Sequence, residues 1–241
     1  MKKFNVIVAD CPWAFSDTLK MSDVKRGAQA NYSTMTISEI KELPVKDHCD
    51  PAGAVLCLWV PSSLLQEGLD TMNAWGFTHK QTYIWVKTKI DPLKEIRSAF
   101  MALWTDSKKT LSQSTDKSWK RYLSNAIKVT QSFSQGAQML GGTLAFGMGR
   151  LFRQTHEICL VGTSNNKIYK LLANKSQRSV SFGENLRHSA KPEHLQNSLE
   201  IMFPTAQKLE LFARRIRPGW TCLGNEVCNG EDIRVSLSKL T

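Results

Sequence analysis

No stretch of about 20 consecutive apolar residues occurs in this 241-residue chain, so the sequence offers no membrane-crossing helix. Met1-Lys2-Lys3 leads straight into a short apolar run rather than a signal peptide, and the expectation is a soluble, unexported, cytoplasmic protein. The six cysteines form no CxxC pair and no zinc spacing with the five histidines, which removes structural zinc; free thiols and no metal are expected. His156-Glu157 opens like a metalloprotease motif, but Leu160 stands where the second histidine is needed. Gly141-Gly142 and Gly147-Met148-Gly149 lack both the full dinucleotide spacing and the Walker lysine, and read as turns. Acidic residues are scarce: 21 against 32 Lys and Arg, a net charge of +11. Clustered cations gain affinity for polyanions by releasing counterions, so nucleic acid is the simplest partner and an anionic membrane surface the competing one.

Short apolar runs alternate with amphipathic patterns, the signature of a layered α/β sheet. Strands are expected over Phe4–Ala9, Ala54–Val60, Thr78–Val86, Glu157–Gly162, Lys208–Ala213 and Thr221–Gly224, and helices over Ser38–Leu43, Ser63–Trp75 and Pro192–Met202. Thr36-Ile37-Ser38-Glu39 reads as a capping box opening the first helix. The length is compatible with one substantial core, and a single domain over residues 1–241 is expected.

The run Val6-Ile7-Val8-Ala9-Asp10-Cys11-Pro12-Trp13 carries the chemistry. The exocyclic amine of a nucleobase is a poor nucleophile because its lone pair is delocalised into the ring. Two acceptors in its plane take its N–H bonds and draw the nitrogen toward a tetrahedral form. Asp10 supplies one; the Cys11 carbonyl, restricted by the following Pro12, supplies the other. Trp13 offers a ring for the base to stack on, a contact worth about 1–3 kcal/mol. A buried strand followed by an ordinary proline turn accounts for these four residues equally well, so other segments decide.

Asp10-Cys11-Pro12-Trp13 resembles the Asp-Pro-Pro-Trp signature of the MT-A70-like family of S-adenosylmethionine-dependent adenine-N6 methyltransferases, and further blocks follow in the family's order. They are Tyr32 to Ile40 with Leu43-Pro44, Tyr83 to Thr88, Gly147 to Arg150 with His156 to Thr163, and His188-Ser189-Ala190-Lys191-Pro192. Leu209 to Arg215, Pro218-Gly219-Trp220 and Gly224-Asn225-Glu226 complete the set. The resemblance implies a Rossmann-like class I methyltransferase core, circularly permuted, with S-adenosylmethionine as cofactor. It implies that Lys191 meets the donor's carboxylate, that Asn225 and Glu226 hydrogen-bond its ribose or adenosine portion, that Arg214 lines the same pocket and that Asp10 approaches its charged end. Arg215 and Arg217 read equally as cofactor contacts or as a solvated basic loop.

The family's first proline is Cys11 here. The acceptor at that position is a main-chain carbonyl, which any residue has, so activity is expected to survive in a looser site, with the thiol exposed to side reaction. An upstream strand that lends cofactor contacts in some members has no counterpart in Met1-Lys2-Lys3.

A stretch at about 89–140 has no place in the compact family core. Between Lys87 and Lys128 ten cations stand against four acids, a net of +6, interleaved with Phe100, Trp104, Trp119 and Tyr122. The segment is expected to be a largely helical basic insertion and the target-recognition element, with Lys87, Lys108, Lys109, Lys117, Lys120 and Arg121 on phosphates. The expected function is a DNA adenine-N6 methyltransferase acting on a flipped-out adenine. The alternatives are RNA adenine-N6 or DNA cytosine-N4 methylation, or a catalytically silent nucleic-acid-binding partner subunit. DNA is the expected partner, RNA less so, and a homodimer or partner subunit is compatible. The expected location is the nucleoid, or a host's cytoplasm for a viral or mobile-element protein.

Overall fold

Seven strands form one hydrogen-bonded sheet in the order β5-β3-β4-β2-β1-β6-β7 in the computed structural model, which describes residues 2–14, 34–89, 105, 144–145, 147, 151–185, 191–228 and 230–240. The strands are β1 (Val6–Ala9), β2 (Val55–Val60), β3 (Thr78–Thr88), β4 (His156–Thr163), β5 (Val180–Glu184), β6 (Lys208–Leu211) and β7 (Trp220–Leu223). The helices are α1 (Ile37–Lys41), α2 (Leu65–Ala74), α3 (His194–Met202) and α4 (Ile233–Ser238). Two compact units divide the chain: Met1–Ile84 with Glu157–Ser179 and Glu193–Thr241, and Trp85–His156 with Val180–Pro192.

In the first unit β1 and β2 are buried at every residue, as befits strands covered on both faces. β1 runs parallel to β2 and β6, β6 runs parallel to β7, and β2 is antiparallel to β4. Ile7, Ala9, Leu56, Leu58, Leu209 and Leu211 share one face and pack into a core with Ile40, Met72, Trp75 and Leu237. Each fully buried aliphatic side chain there contributes about 1.5–3 kcal/mol. α2 lies tight on that face because Gly68 has no side chain: a Cβ there would fall 2.6 Å from Val60 Cγ2. α1 begins at the expected capping box, Thr36 and Glu39 each bonding the other's backbone N–H. Near the two ends of the chain, the Lys2 amide donates to the Leu240 carbonyl at 3.2 Å.

Parallel pairing gathers the carboxyl ends of β1, β2, β6 and β7 at one edge, so Asp10, Pro61, Phe212 and Gly224 all follow strands there. Chain order reverses at β1, with β2 on one side and β6 on the other, the kind of switch point where open α/β sheets bind ligands.

Strand positions match the sequence expectation to within a few residues. β6 stops at Leu211 rather than Ala213, because Phe212 adopts φ +60°, which breaks the extended conformation. β5 and α4 carried no expectation. Tyr32, Ser33, Met148, Gly149, Arg150, His188, Ser189 and Ala190 lie outside the described residues, as does the basic stretch at about 89–140 apart from Lys89 and Thr105, and with it Lys108, Lys109, Lys117, Lys120 and Arg121. Among the described residues no helix is long and apolar enough to cross a membrane.

Candidate active site

The loop after β1 is fixed by its own backbone. The Trp13 amide donates to the Cys11 carbonyl at 2.9 Å, closing a tight turn centred on Pro12. The Met35 amide donates to the Pro12 carbonyl at 2.9 Å, and the Ala14 amide to the Met35 carbonyl at 3.2 Å. The Cys11 carbonyl keeps one lone pair beyond its bond to Trp13. Asp10 is half-buried beside it.

Trp13 does not present the open face its sequence suggested. Its ring is 3 % exposed within the core, and its indole N–H donates to the Trp59 carbonyl at 2.9 Å. A buried indole keeps its N–H paired, so the ring braces the Asp10 loop against β2. The Cys11 thiol is also buried, and burial followed by the charge of Asp10 pushes its pKa well up. The thiol is therefore neutral and a weak nucleophile, which removes the side reaction expected of it.

At the end of β6 and β7 the chain is drawn close. A Cβ on Gly224 would lie 2.3 Å from the Ala213 carbonyl oxygen, and the Ala213 amide donates to the Leu223 carbonyl at 2.8 Å. This approach places Arg214 beside Glu226, Nε to Oε1 at 3.6 Å, with Asn225 and Glu226 exposed. Three of the residues singled out in the sequence thus meet in one cluster.

Arg217 is bound inward, whereas Arg215 stays exposed and reaches α3 only through an ion pair. Arg215 pairs with Glu193 at 2.8 Å; Arg217 pairs with Glu193 at 2.8 Å and Glu200 at 2.7 Å and donates to Asn197. Glu200 also accepts the Trp220 indole N–H at 2.7 Å, and its hydrogen bonds with Arg217 hold its carboxyl below the usual range. The loop between β6 and β7 is thereby clamped onto α3.

Glu210 escaped the sequence reading. Its β6 position pairs with Val8, on the face opposite the Leu209–Leu211 core, and Gln196 of α3 donates to it at 3.0 Å. Burial is the main cause pushing its carboxyl pKa up, Gln196, Arg215 and Arg217 oppose it, and Asp10's charge adds to it. Gln196 is 5 % exposed and its Oε1 has no partner. The signal available was one acid in a short strand that alternates charged and apolar residues, Lys208-Leu209-Glu210-Leu211.

Lys87 and Lys191 belong to the second unit. Lys87 Nζ lies 5.2 Å from the Trp85 ring centroid, and Lys191 precedes Pro192, three positions before α3 begins. Both are half-buried. Among the described residues no group of three or more His, Cys, Asp or Glu is placed to hold a metal.

The MT-A70 family model matches residues 4–97 and 89–226. Among similar proteins, the "Probable N(6)-adenosine-methyltransferase MT-A70-like" of Oryza sativa subsp. japonica is 25% identical over 230 residues, covering 93% of this chain and 23% of the relative. The human "N(6)-adenosine-methyltransferase catalytic subunit METTL3" is 24% identical over 227 residues, covering 93% and 28%. The mouse "N(6)-adenine-specific methyltransferase METTL4" is 23% identical over 235 residues, covering 94% and 38%. The chain thus spans between about a quarter and two-fifths of these relatives' lengths. Since the family model runs from the first strand through the Asp10 loop to Glu226, the chain belongs to the MT-A70 family.

Proposed function

We propose that this protein moves a methyl group from S-adenosylmethionine to the N6 amine of adenine in nucleic acid, with DNA as the substrate. The observation that carries the reading is the braced Asp10-Cys11-Pro12-Trp13 loop at the carboxyl end of β1, where a carboxylate and a main-chain carbonyl with a spare lone pair stand in succession. Asp10 accepts one amine N–H, the Cys11 carbonyl accepts the other, and the lone pair of the nitrogen is freed from the ring. Fixed acceptors need no reorganisation during transfer, which is where positioning and electrostatics act. The surplus proton of the methylated amine leaves to Asp10 or to water.

The residues present fit the methyl donor. The exposed Asn225 amide and Glu226 carboxylate suit a ribose diol, Arg214 holds Glu226 in place, and Lys191 suits a carboxylate. When bound, the donor supplies an electrophilic methyl group. The order of elements, with the Asp10 loop first and the β6–β7 loops last, supports one circularly permuted class I methyltransferase domain. Lys87 and the stretch at about 89–140, with Lys108, Lys109, Lys117, Lys120 and Arg121, serve as a basic phosphate-contacting insertion for target recognition.

A second reading, RNA as substrate, is favoured by the relatives named for N6-adenosine. The test is incubation with S-adenosylmethionine and unmethylated DNA or RNA, nucleoside mass spectrometry, and Asp10→Ala as control. N6-methyladenine in DNA that vanishes in the variant supports the first reading, and a product in RNA alone supports the second. Wild-type turnover by Asp10→Ala would sink the mechanism. Cofactor binding without transfer to either would point to a partner subunit.

A further inference from the structure

Residues 158–179, all in the first unit, hold no acid and four cations: Lys167, Lys170, Lys175 and Arg178. All four are exposed, and none makes an ion pair among the described residues. Elsewhere in that unit Lys41, Arg214, Arg215, Arg217, Arg234 and Lys239 each hold a carboxylate. The segment is also pinned along its length. The Ser164 amide donates to the Ala54 carbonyl and the Ala54 amide to Ser164 Oγ, both at 2.9 Å. The Ala173 amide donates to the Met202 carbonyl and the Ile84 amide to the Ser179 carbonyl, both at 2.8 Å. Ile168, 1 % exposed, packs on Gly53, where a Cβ would fall 2.6 Å from the Ile168 nitrogen.

The Asn165 side chain accepts the Lys167 amide at 2.9 Å and opens a short 3-10 helix over Asn166–Leu171. Side chains three apart eclipse one another in such a helix, so Lys167 and Lys170 stand on one side. With Pro51, Ala52 and Leu171 they line an open cleft. Tyr169, 49 % exposed, occupies the neighbouring face of the helix. The helix follows β4, whose Thr163 pairs with Val55, so the cleft opens at the amino end of β2. Asp10 follows the carboxyl end of the parallel β1, and six strand residues of β2 separate those two edges by about 20 Å. An apolar floor rimmed by cations suits a flat ring carried between phosphates, which is an unpaired base in its own strand. A membrane surface is a poor match, because peripheral binding seats apolar side chains in the interface and those here are recessed, Ile168 buried and Leu171 half-buried.

We propose that this basic segment holds a single-stranded flank of the nucleic-acid substrate, with Lys167, Lys170, Lys175 and Arg178 on its phosphates, a base in the cleft and Tyr169 as a second stacking surface. The inference rests on the reading of nucleic acid as substrate above and deepens it by assigning where the strand is held away from the target base. Lying at the opposite edge of the sheet from Asp10, the segment contributes affinity and takes no part in the transfer itself.

The experiment measures binding of a fluorescently labelled oligothymidylate of about 30 nucleotides, longer than the about 4–16 that one strand-binding fold covers, across a salt series. It compares wild type, Lys167→Gln/Lys170→Gln/Lys175→Gln, Tyr169→Ala and Tyr169→Phe. Each phosphate contact on a single strand contributes about 0.7 to the steepness of log K against log salt. The triple variant should therefore lose about 2 in steepness and about tenfold or more in affinity at low salt. Tyr169→Ala should weaken binding about fivefold or more, and Tyr169→Phe should match wild type. The unfolding temperature and S-adenosylmethionine binding should not change, since every substituted side chain is exposed. An unchanged salt dependence in the triple variant, equal weakening on a duplex of the same length, or binding to phosphatidylglycerol vesicles in place of the oligonucleotide would overturn the assignment. Tyr169→Ala at wild-type affinity would remove the ring from the site. Transfer and binding fail separately: if wild type methylates no nucleic acid while the triple variant still loses the oligonucleotide, the methyl-transfer reading falls and the basic segment stands, and the reverse result sinks the segment alone.

Discussion

The indole N–H of Trp13 donates to the carbonyl of Trp59 at 2.9 Å, tying the loop that follows β1 to β2. Trp13→Phe keeps most of the ring volume and removes the donor, leaving a buried carbonyl short of a partner. The expected cost is about 1–3 kcal/mol. Thermal unfolding should show a Tm lower by several degrees, and transfer activity should fall with it. An unchanged Tm would mean that the bond contributes nothing to the loop.

Arg217 should be the most sensitive cation in the β6–β7 loop. Its guanidinium is shared among Glu193, Asn197 and Glu200, and Arg217→Ala takes a cationic partner from both acids, leaving Glu193 its pair with Arg215 and Glu200 its bond from Trp220. The loss should be about 2 kcal/mol by urea titration, between the values for exposed and buried pairs. The pH dependence follows from the lowered Glu200 carboxyl. Its stabilisation is complete above the ordinary glutamate pKa and disappears as pH falls through the lowered value. The variant should therefore lose less stability than wild type on acidification.

Glu210 has the opposite sign. With a raised carboxyl pKa, the folded protein holds a proton the unfolded chain releases, so this group's contribution weakens as pH rises from the ordinary glutamate pKa through the folded one. Glu210→Gln removes the charge and gives the unpartnered Gln196 Oε1 a donor. Near pH 7 the variant should gain on the order of 1 kcal/mol, or about 2–4 °C in Tm for a chain this size, and the gain should shrink in acid. A loss of stability at neutral pH would show that Arg215 and Arg217 require the carboxylate.

Gly224→Ala puts a methyl group against backbone that cannot move aside, 2.3 Å from the Ala213 oxygen. The Gly224-Asn225-Glu226 turn must shift, and Arg214 with it. Calorimetry should show S-adenosylmethionine binding weakened by about tenfold or more, because a one-ångström displacement of positioning groups is costly. Binding equal to wild type would place the donor elsewhere.

β1 and β2 could be read from the sequence because they are apolar throughout, as strands covered on both faces are. Asp10, Arg214 and Glu226 could be singled out because motif order survives in the chain. Trp13, Arg217 and Glu210 could not be placed: each depends on a partner distant in sequence, Trp59, the acids of α3 and Gln196. A tryptophan beside a reactive carboxylate reads the same whether it faces a ligand or a β-strand carbonyl. β5 was missed because its Ser-Phe-Gly-Glu composition is that of a turn.

The bond from the Lys2 amide to the Leu240 carbonyl brings the two extremities of the described chain side by side. A few flexible residues would suffice to splice them into a closed ring. Such a ring would keep the folded contacts while restricting the unfolded chain, and chain-entropy arithmetic for a loop of this size gives about 5 kcal/mol. Backbone cyclisation is thus a route to a hardier protein whose gain comes from the unfolded state alone.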